Sequence, residues 1–163
     1  MAAGSTYTPL ATTTLGSNQA TVTFNSFSGY TDLVVVIAAK ATASANGLVY
    51  FNGDTSSLYS DTQVYGTGSA TGSDRHSSQG AIFITNFSSS SAQSQITLNL
   101  NNYSNTSTFK TMLVRTSNPS DFVAAKVGLY RSTSAITSMS FYLDGSQSWA
   151  TGSTFTLYGI AAA

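Results

Sequence analysis

Histidine, cysteine, aspartate and glutamate carry most acid, base, nucleophile and ligand chemistry in proteins, and this chain holds few of them. One His, six Asp, no Glu and no Cys are spread over 163 residues. His76 is the only imidazole available as a general base, and it lies in Ser73-Asp74-Arg75-His76-Ser77-Ser78, among hydroxyls and one carboxylate. These are the residue types of a hydrolytic triad. A triad, however, needs three groups converging in space beside an oxyanion hole, whereas neighbours in a loop point apart, and no Gly-x-Ser-x-Gly elbow is present. His76 reads as an exposed loop histidine.

Glycoside hydrolysis needs two facing carboxyl groups, drawn here from Asp32, Asp54, Asp61, Asp74, Asp121 and Asp144. Most of them sit beside Gly, Ser or Thr, and Asp54 and Asp144 read as turn residues whose carboxylates bond nearby backbone. A zinc site is excluded by one His and no Cys. The loops around Asn52-Gly53-Asp54 and Asp61 offer oxygens to calcium, weakly, since no Asp-x-Asp-x-Asp pattern occurs. Gly66-Thr67-Gly68-Ser69-Ala70-Thr71-Gly72 lacks the Lys and the helix that would face a phosphate, so it reads as a flexible loop. No cofactor is implied, and the chain reads as non-enzymatic.

Aromatic side chains on loops make contacts without chemistry. Trp149 lies in Gly145-Ser-Gln-Ser-Trp-Ala-Thr-Gly152, a loop by composition, where it either marks an interface or closes the end of a core. The candidate interaction surface is Trp149 with Arg75, His76 and Tyr65.

Six Asp balance six Lys plus Arg, and charged residues make up only 7% of the chain. With no run of like charge there is no footprint for nucleic acid or an anionic membrane surface. A net charge near zero does little to keep molecules apart, which suits a protein that ends in an oligomer or lattice. The amino terminus shows no basic region followed by an apolar one, and the longest apolar run, Leu33 to Ala39, is too short to span a bilayer. The expectation is a soluble chain, not exported by a signal peptide. With 41% hydrophobic and 12% aromatic residues it has the material for a core, and its length fits one domain over residues 1–163.

The elements that must position these residues are strands. Short β-branched and aromatic runs recur between Gly, Asn, Ser and Asp, with no sustained helical period. Pro9 to Leu15 suits an edge strand, Ala20 to Phe27 alternates, and Leu33-Val-Val-Val-Ile-Ala-Ala39 reads as the most buried strand. Gly47 to Phe51 ends at the turn Asn52-Gly53-Asp54, with Leu58 to Tyr65 as its hairpin partner. Gly66 to Gln79, lacking hydrophobic periodicity, reads as one long mobile surface loop. Ala81 to Phe87, Gln95 to Tyr103, Thr108 to Thr116, Phe122 to Tyr130, Ile136 to Leu143 and Thr154 to Ile160 match strands. Turns fall between them at Ser88 to Ala92, Ser104 to Ser107, Asn118 to Asp121 and Asp144-Gly145. The pattern predicts an all-β, antiparallel, jelly-roll-like β-sandwich, with residues 1–8 as an anchoring arm.

Several whole phrases carry a resemblance: Tyr7-Thr-Pro-Leu-Ala-Thr-Thr-Thr-Leu-Gly16, Val22-Thr-Phe through Tyr30-Thr-Asp-Leu33, Phe51-Asn-Gly-Asp54, Gly128-Leu-Tyr-Arg-Ser-Thr133 and Gly152-Ser-Thr-Phe-Thr-Leu-Tyr-Gly-Ile160. Over nearly its whole length the chain resembles small structural proteins of tailed-phage virions, of the marine and cyanophage type. The resemblance implies a particle protein and brings no catalytic residues. It also reconciles a chain made in the host cytoplasm with an extracellular style of composition, because virions assemble inside the cell and leave by lysis. The expected role is a decoration or cement protein on the outside of the capsid, associating as a homotrimer with phage capsid or tail proteins as partners. The alternative is a tail-fibre component or lectin-like module that binds a host-surface glycan.

Overall fold

A computed structural model describes residues 6–88, 92–120 and 122–161. The alternation noted above becomes twelve strands: β1 (Tyr7–Thr14), β2 (Thr21–Asn25), β3 (Asp32–Ala39), β4 (Ala45–Phe51), β5 (Tyr59–Gly66), β6 (Thr71–Gln79), β7 (Ile82–Phe87), β8 (Ser94–Asn101), β9 (Lys110–Asn118), β10 (Phe122–Tyr130), β11 (Ser138–Leu143) and β12 (Thr154–Ile160). They form an eight-stranded sheet in the order β1-β12-β3-β8-β9-β10-β5-β6 and a four-stranded sheet in the order β2-β11-β4-β7. Every pairing is antiparallel.

The connectivity is that of a jelly roll with two inserts. Strands β1, β2, β3 and β4 alternate between the sheets and pair with β12, β11, β8 and β7 in turn, as a long hairpin rolled up on itself does. The hairpin β5–β6 lies between β4 and β7 in the chain, and β9–β10 between β8 and β11. Both inserts join the larger sheet beyond β8 and lengthen it by four strands.

Period-two burial explains which faces meet. In β3 the inward residues Leu33, Val35, Ile37 and Ala39 are buried while Val36 faces out. Opposite them, Val49 and Phe51 of β4 and Met139 and Phe141 of β11 close the core, and each such side chain contributes about 1.5–3 kcal/mol by leaving water. Pro9 sits in edge strand β1, where it has no second neighbour to donate to, and a bulge separates Pro9 from Ala11.

Four expectations are corrected. Leu58 to Tyr65 is not the hairpin partner of Gly47 to Phe51: β4 pairs with β11 and β7, whereas β5 pairs with β10 and β6 in the other sheet. Gly66 to Gln79 is not a long loop: only 67–70 turn, with Gly68 at φ 78°, and Thr71 to Gln79 form a nine-residue strand. Tyr7 and Thr8 are not part of an arm but belong to β1, paired with Ile160 and Gly159; residues 1–5 of the expected arm lie outside the described residues. Residues 89–91 and 121, within two of the expected turns, lie outside them as well.

The fourth correction is Trp149. It is 0% exposed, with its indole N–H donating to the Phe141 carbonyl at 3.1 Å and its ring edge-on to Phe87 and Phe155, both at 5.1 Å. Its partners come from β7, β11 and β12, so the residue clamps both sheets together, and it is no contact surface. Backbone bridges to Gln19 and Ala41 hold its segment in place despite the Gly- and Ser-rich composition.

Candidate functional site

The two inserts bring the sequence's candidates to opposite sides of one sheet. In the β5–β6 hairpin, Tyr65 faces Gly72, Gln63 faces Asp74 and Asp61 faces His76, all on the inward side, while Thr62 faces Arg75 on the outer side. Tyr65 and His76 thus share a face, Arg75 leaves it, and Trp149 is elsewhere in the core. Tyr65 is half-buried, stacks on Phe122 at 5.7 Å, and covers Gly72, where a Cβ would come within 2.6 Å of its ring.

On the inward side the hairpin reaches the free edge of the small sheet. Strand β7 ends that sheet, and Asp61 accepts the backbone N–H of Phe83 at 3.2 Å, covering part of an edge that would otherwise be unpaired. The other Asp61 oxygen lies 2.8 Å from His76 Nδ1, so that nitrogen carries the proton donated to the carboxylate. One extra residue on β6 between His76 and Gln79, with Ser78 at φ 55°, makes a bulge beside this pair. Gln63 Nε2 donates to Asp74 at 3.3 Å.

Lys126 of β10 stands directly opposite Gln63 in register and also points inward. It is 3% exposed, and its ammonium sits 3.3 Å above the centroid of the Phe83 ring. Burial pushes its pKa down to about 7, against the opposing pull of the Asp61 and Asp74 carboxylates. Neither Lys126 Nζ nor Gln63 Oε1, both buried, has a hydrogen-bond partner. Beside Gln63, Asp74, His76 and Phe83 a cleft of about 430 Å³ opens between β6, β7 and β4, with Lys126 outside its lining and Asn46, Leu48 and Asp144 forming its far wall. There Asn46 donates its backbone and side-chain N–H groups to the two Asp144 oxygens, at 2.8 and 2.7 Å. Asp144 thus bonds backbone across to β4 rather than only within its own turn.

The outer side is chemically different. Rows of opposed residues run across it: Asn99–Leu113–Val127–Thr62–Arg75, then Thr97–Arg115–Ala125–Val64–Ser73. Val64, Val123, Val127 and Leu113 are 60, 58, 49 and 47% exposed. Two shallow grooves of about 1060 and 640 Å³ flank the line through Arg115, Ala125 and Val64. In β10 the usual pattern is reversed, with Lys126 inward and Val123 and Val127 in water. Among the described residues of β9, β10, β5 and β6, both guanidiniums, Arg75 and Arg115, face out, while Asp61 and Asp74 face in.

Asp32 and Asp54 are engaged elsewhere, Asp32 by the Asn102 N–H at 2.6 Å. The Asp54 carboxyl is held below the usual carboxylate range, chiefly by the Ser56 hydroxyl and backbone N–H and then by the Tyr130 hydroxyl. Asp54 and Asp61 therefore serve separate networks and do not converge as calcium ligands. Among the described residues no group of three or more His or Asp is arranged to hold a metal ion. No helix among them is long and apolar enough to cross a membrane. No protein-family model and no curated protein matches the chain.

Sequence reasoning reached His76, Asp74 and Tyr65 but missed Lys126, Gln63 and Phe83 as their companions, and it missed the outer valines. The signal for the outer face was present in Val123-Ala-Ala-Lys-Val127, where the apolar parity and the lysine parity cannot both be satisfied by one core.

Proposed function

We propose that the protein is a non-enzymatic structural protein of a phage virion, a decoration module that docks on a neighbouring particle protein through the outer face of β9, β10, β5 and β6. The observation that carries this reading is the reversed polarity of β10: Val123 and Val127 face water, next to Val64 and Leu113, while Lys126 is buried. Leaving a contiguous apolar face exposed is costly for a free monomer and is repaid when a partner covers it. With two guanidiniums and no carboxylate on that face among the described residues, the complementary surface is apolar and acidic. The virion setting is supported by the resemblance of the sequence to small tailed-phage structural proteins, and homotrimer formation belongs to the same reading.

Two measurements test it. Immunogold labelling of purified virions should place the protein over the head; label on the tail would move the same docking face to a fibre or spike, and no label would end the virion reading. The double substitution Val123→Asp with Val127→Asp should leave the isolated protein folded yet prevent its incorporation into particles. Incorporation at the wild-type level would refute docking through this face.

A further inference from the structure

We propose that the outward edge of β6 takes up an extended segment of another protein as a further antiparallel strand, and that this segment carries an acidic residue followed directly by a basic one. The site is a main-chain edge and uses none of the outer valines, so it stands or falls separately from the docking reading.

The first argument is a comparison of the four sheet edges. An edge presents unpaired N–H and C=O groups, and proteins blunt it with proline, bulges, short strands or covering groups. Strand β1 carries Pro9 and a bulge between Pro9 and Ala11. Strand β2 has only five residues and is followed by Ser26 at φ 60°. The β7 edge is capped by side chains of the inserts: Asp61 accepts the Phe83 N–H at 3.2 Å, and Asn118 Nδ2 donates to the Asn86 carbonyl at 3.1 Å. Strand β6 has none of these devices over most of its length. It is nine residues long without proline or lysine, and from Thr71 to His76 it pairs with Gly66 to Asp61 without a bulge. No strand among the described residues pairs with its other side. In an antiparallel ladder alternate residues turn both N–H and C=O toward the same neighbour, so about half of these groups point outward in a row. A row of this kind is what a peptide uses when it adds a strand to a sheet, with main-chain bonds giving affinity and side chains giving specificity.

The second argument is the charge pattern, which selects the occupant. Asp74 faces inward and Arg75 outward, side by side on the edge. Among the described residues Arg75 has no hydrogen bond or ion pair, and Asp74 has one, from Gln63 at 3.3 Å. Opposed residues of neighbouring strands share a face, where opposite charges attract and like charges repel. An antiparallel newcomer therefore needs a carboxylate opposite Arg75 and a cation opposite Asp74. Because the two chains run in opposite directions, the acid precedes the base. Charges on an edge deter pairing in general, but a pair of opposite sign on opposite faces admits the complementary strand and rejects the rest.

This chain cannot supply that strand. Asp74-Arg75 is its one acid–base dipeptide. A two-fold pairing of β6 with its own copy, centred on Asp74 or on Arg75, sets that residue against its like. Moving the centre toward Thr71 shortens the ladder, and moving it toward Gln79 meets the bulge beside Ser78, at φ 55°.

The test is titration of the isotopically labelled full chain with the end-blocked peptide Thr-Glu-Lys-Val-Thr-Val, in which Glu opposes Arg75 and Lys opposes Asp74, and with its reordered form Thr-Lys-Glu-Val-Thr-Val. The first should shift the amide resonances of Thr71 to His76 and slow exchange of the outward N–H groups, with a Kd on the order of 1 mM. The reordered peptide should bind about tenfold more weakly. Arg75→Glu, at an exposed position, should keep the folded spectrum, weaken the first peptide about tenfold and prefer Thr-Lys-Lys-Val-Thr-Val. Val123→Asp with Val127→Asp should still bind the first peptide, which separates this edge from the docking face. The proposal is overturned if neither peptide shifts the β6 resonances, if the reordered peptide binds as tightly as the first, or if Arg75→Glu leaves the preference unchanged.

Discussion

Replacing Lys126 by Met should make the protein more stable and flatten its response to alkali. The lysine is 3% exposed, without a hydrogen-bond partner, and its pKa falls from 10.5 to about 7. The difference, 10.5 − 7 = 3.5 units, corresponds to at most about 5 kcal/mol of preference for the neutral amine at about 1.4 kcal/mol per unit. The sign follows from proton binding. Between about pH 7 and 10.5 the unfolded chain holds this proton and the folded chain does not, so stability rises with pH in that window and is lost as pH falls toward 7. Tyr59, whose hydroxyl is pushed up chiefly by burial, acts oppositely: the stability it contributes is complete below its unfolded value near 10 and declines above it. The useful window therefore closes at about pH 9.5. Over it the wild type should gain about 1.4 kcal/mol per pH unit. Lys126→Met keeps the length and a favourable contact with the Phe83 ring, removes the charge that faces Asp61 and Asp74, and should add about 2–3 kcal/mol near pH 7. Urea unfolding followed by the fluorescence of Trp149, the single tryptophan, reports both quantities. A wild-type stability that is level from about pH 7 to about pH 9.5, or a slope that survives the substitution, would refute the account of this buried ammonium.

Other perturbations have equally definite outcomes. Trp149→Ala should cost about 3–5 kcal/mol in urea unfolding, since it empties the contact among Phe87, Phe141 and Phe155; a loss below about 1 kcal/mol would contradict its place in the core. Gly128→Ala should cost about 1–3 kcal/mol, because the new Cβ would meet the Ile82 side chain at 2.7 Å in a packed interior; unchanged stability would mean that Ile82 has room to move.

What the sequence made legible follows where burial is two-sided or alternation is regular. Phe122 to Tyr130 and Thr154 to Ile160 were read to the residue, and Leu33 to Ala39 was recognised as central because it is apolar on both parities, as a strand between β12 and β8 must be. Strand β6 was invisible for the opposite reason. An edge strand needs only one hydrogen-bonded neighbour, and its inward residues Asp74 and His76 face a polar cleft, so nothing selects apolar residues at either parity. For Trp149 the sequence leaves an interface and a core end both open, because composition describes the chain around it, Gly, Ser and Gln, whereas its core position is set by partners more than 100 residues away at Gln19 and Ala41. The cleft and the buried lysine beside it needed the fold itself: Asp61, Asp74, Phe83 and Lys126 come from four strands that only the curling of the inserts around β7 brings together.

The nesting of the jelly roll also governs when a growing chain can fold. Thr14 meets Thr154 across 140 residues, and β12 lies between β1 and β3, joining both. At about 5–20 residues per second the ribosome takes roughly 7–28 s to cover that span, during which the apolar edge of β3 has no neighbour on that side. A chain cut short anywhere before Thr154 would leave β1 detached and β3 open at once. β12 is therefore the strand that seals the larger sheet: without it β1 has no partner and β3 keeps an open apolar edge, the kind of edge along which chains aggregate.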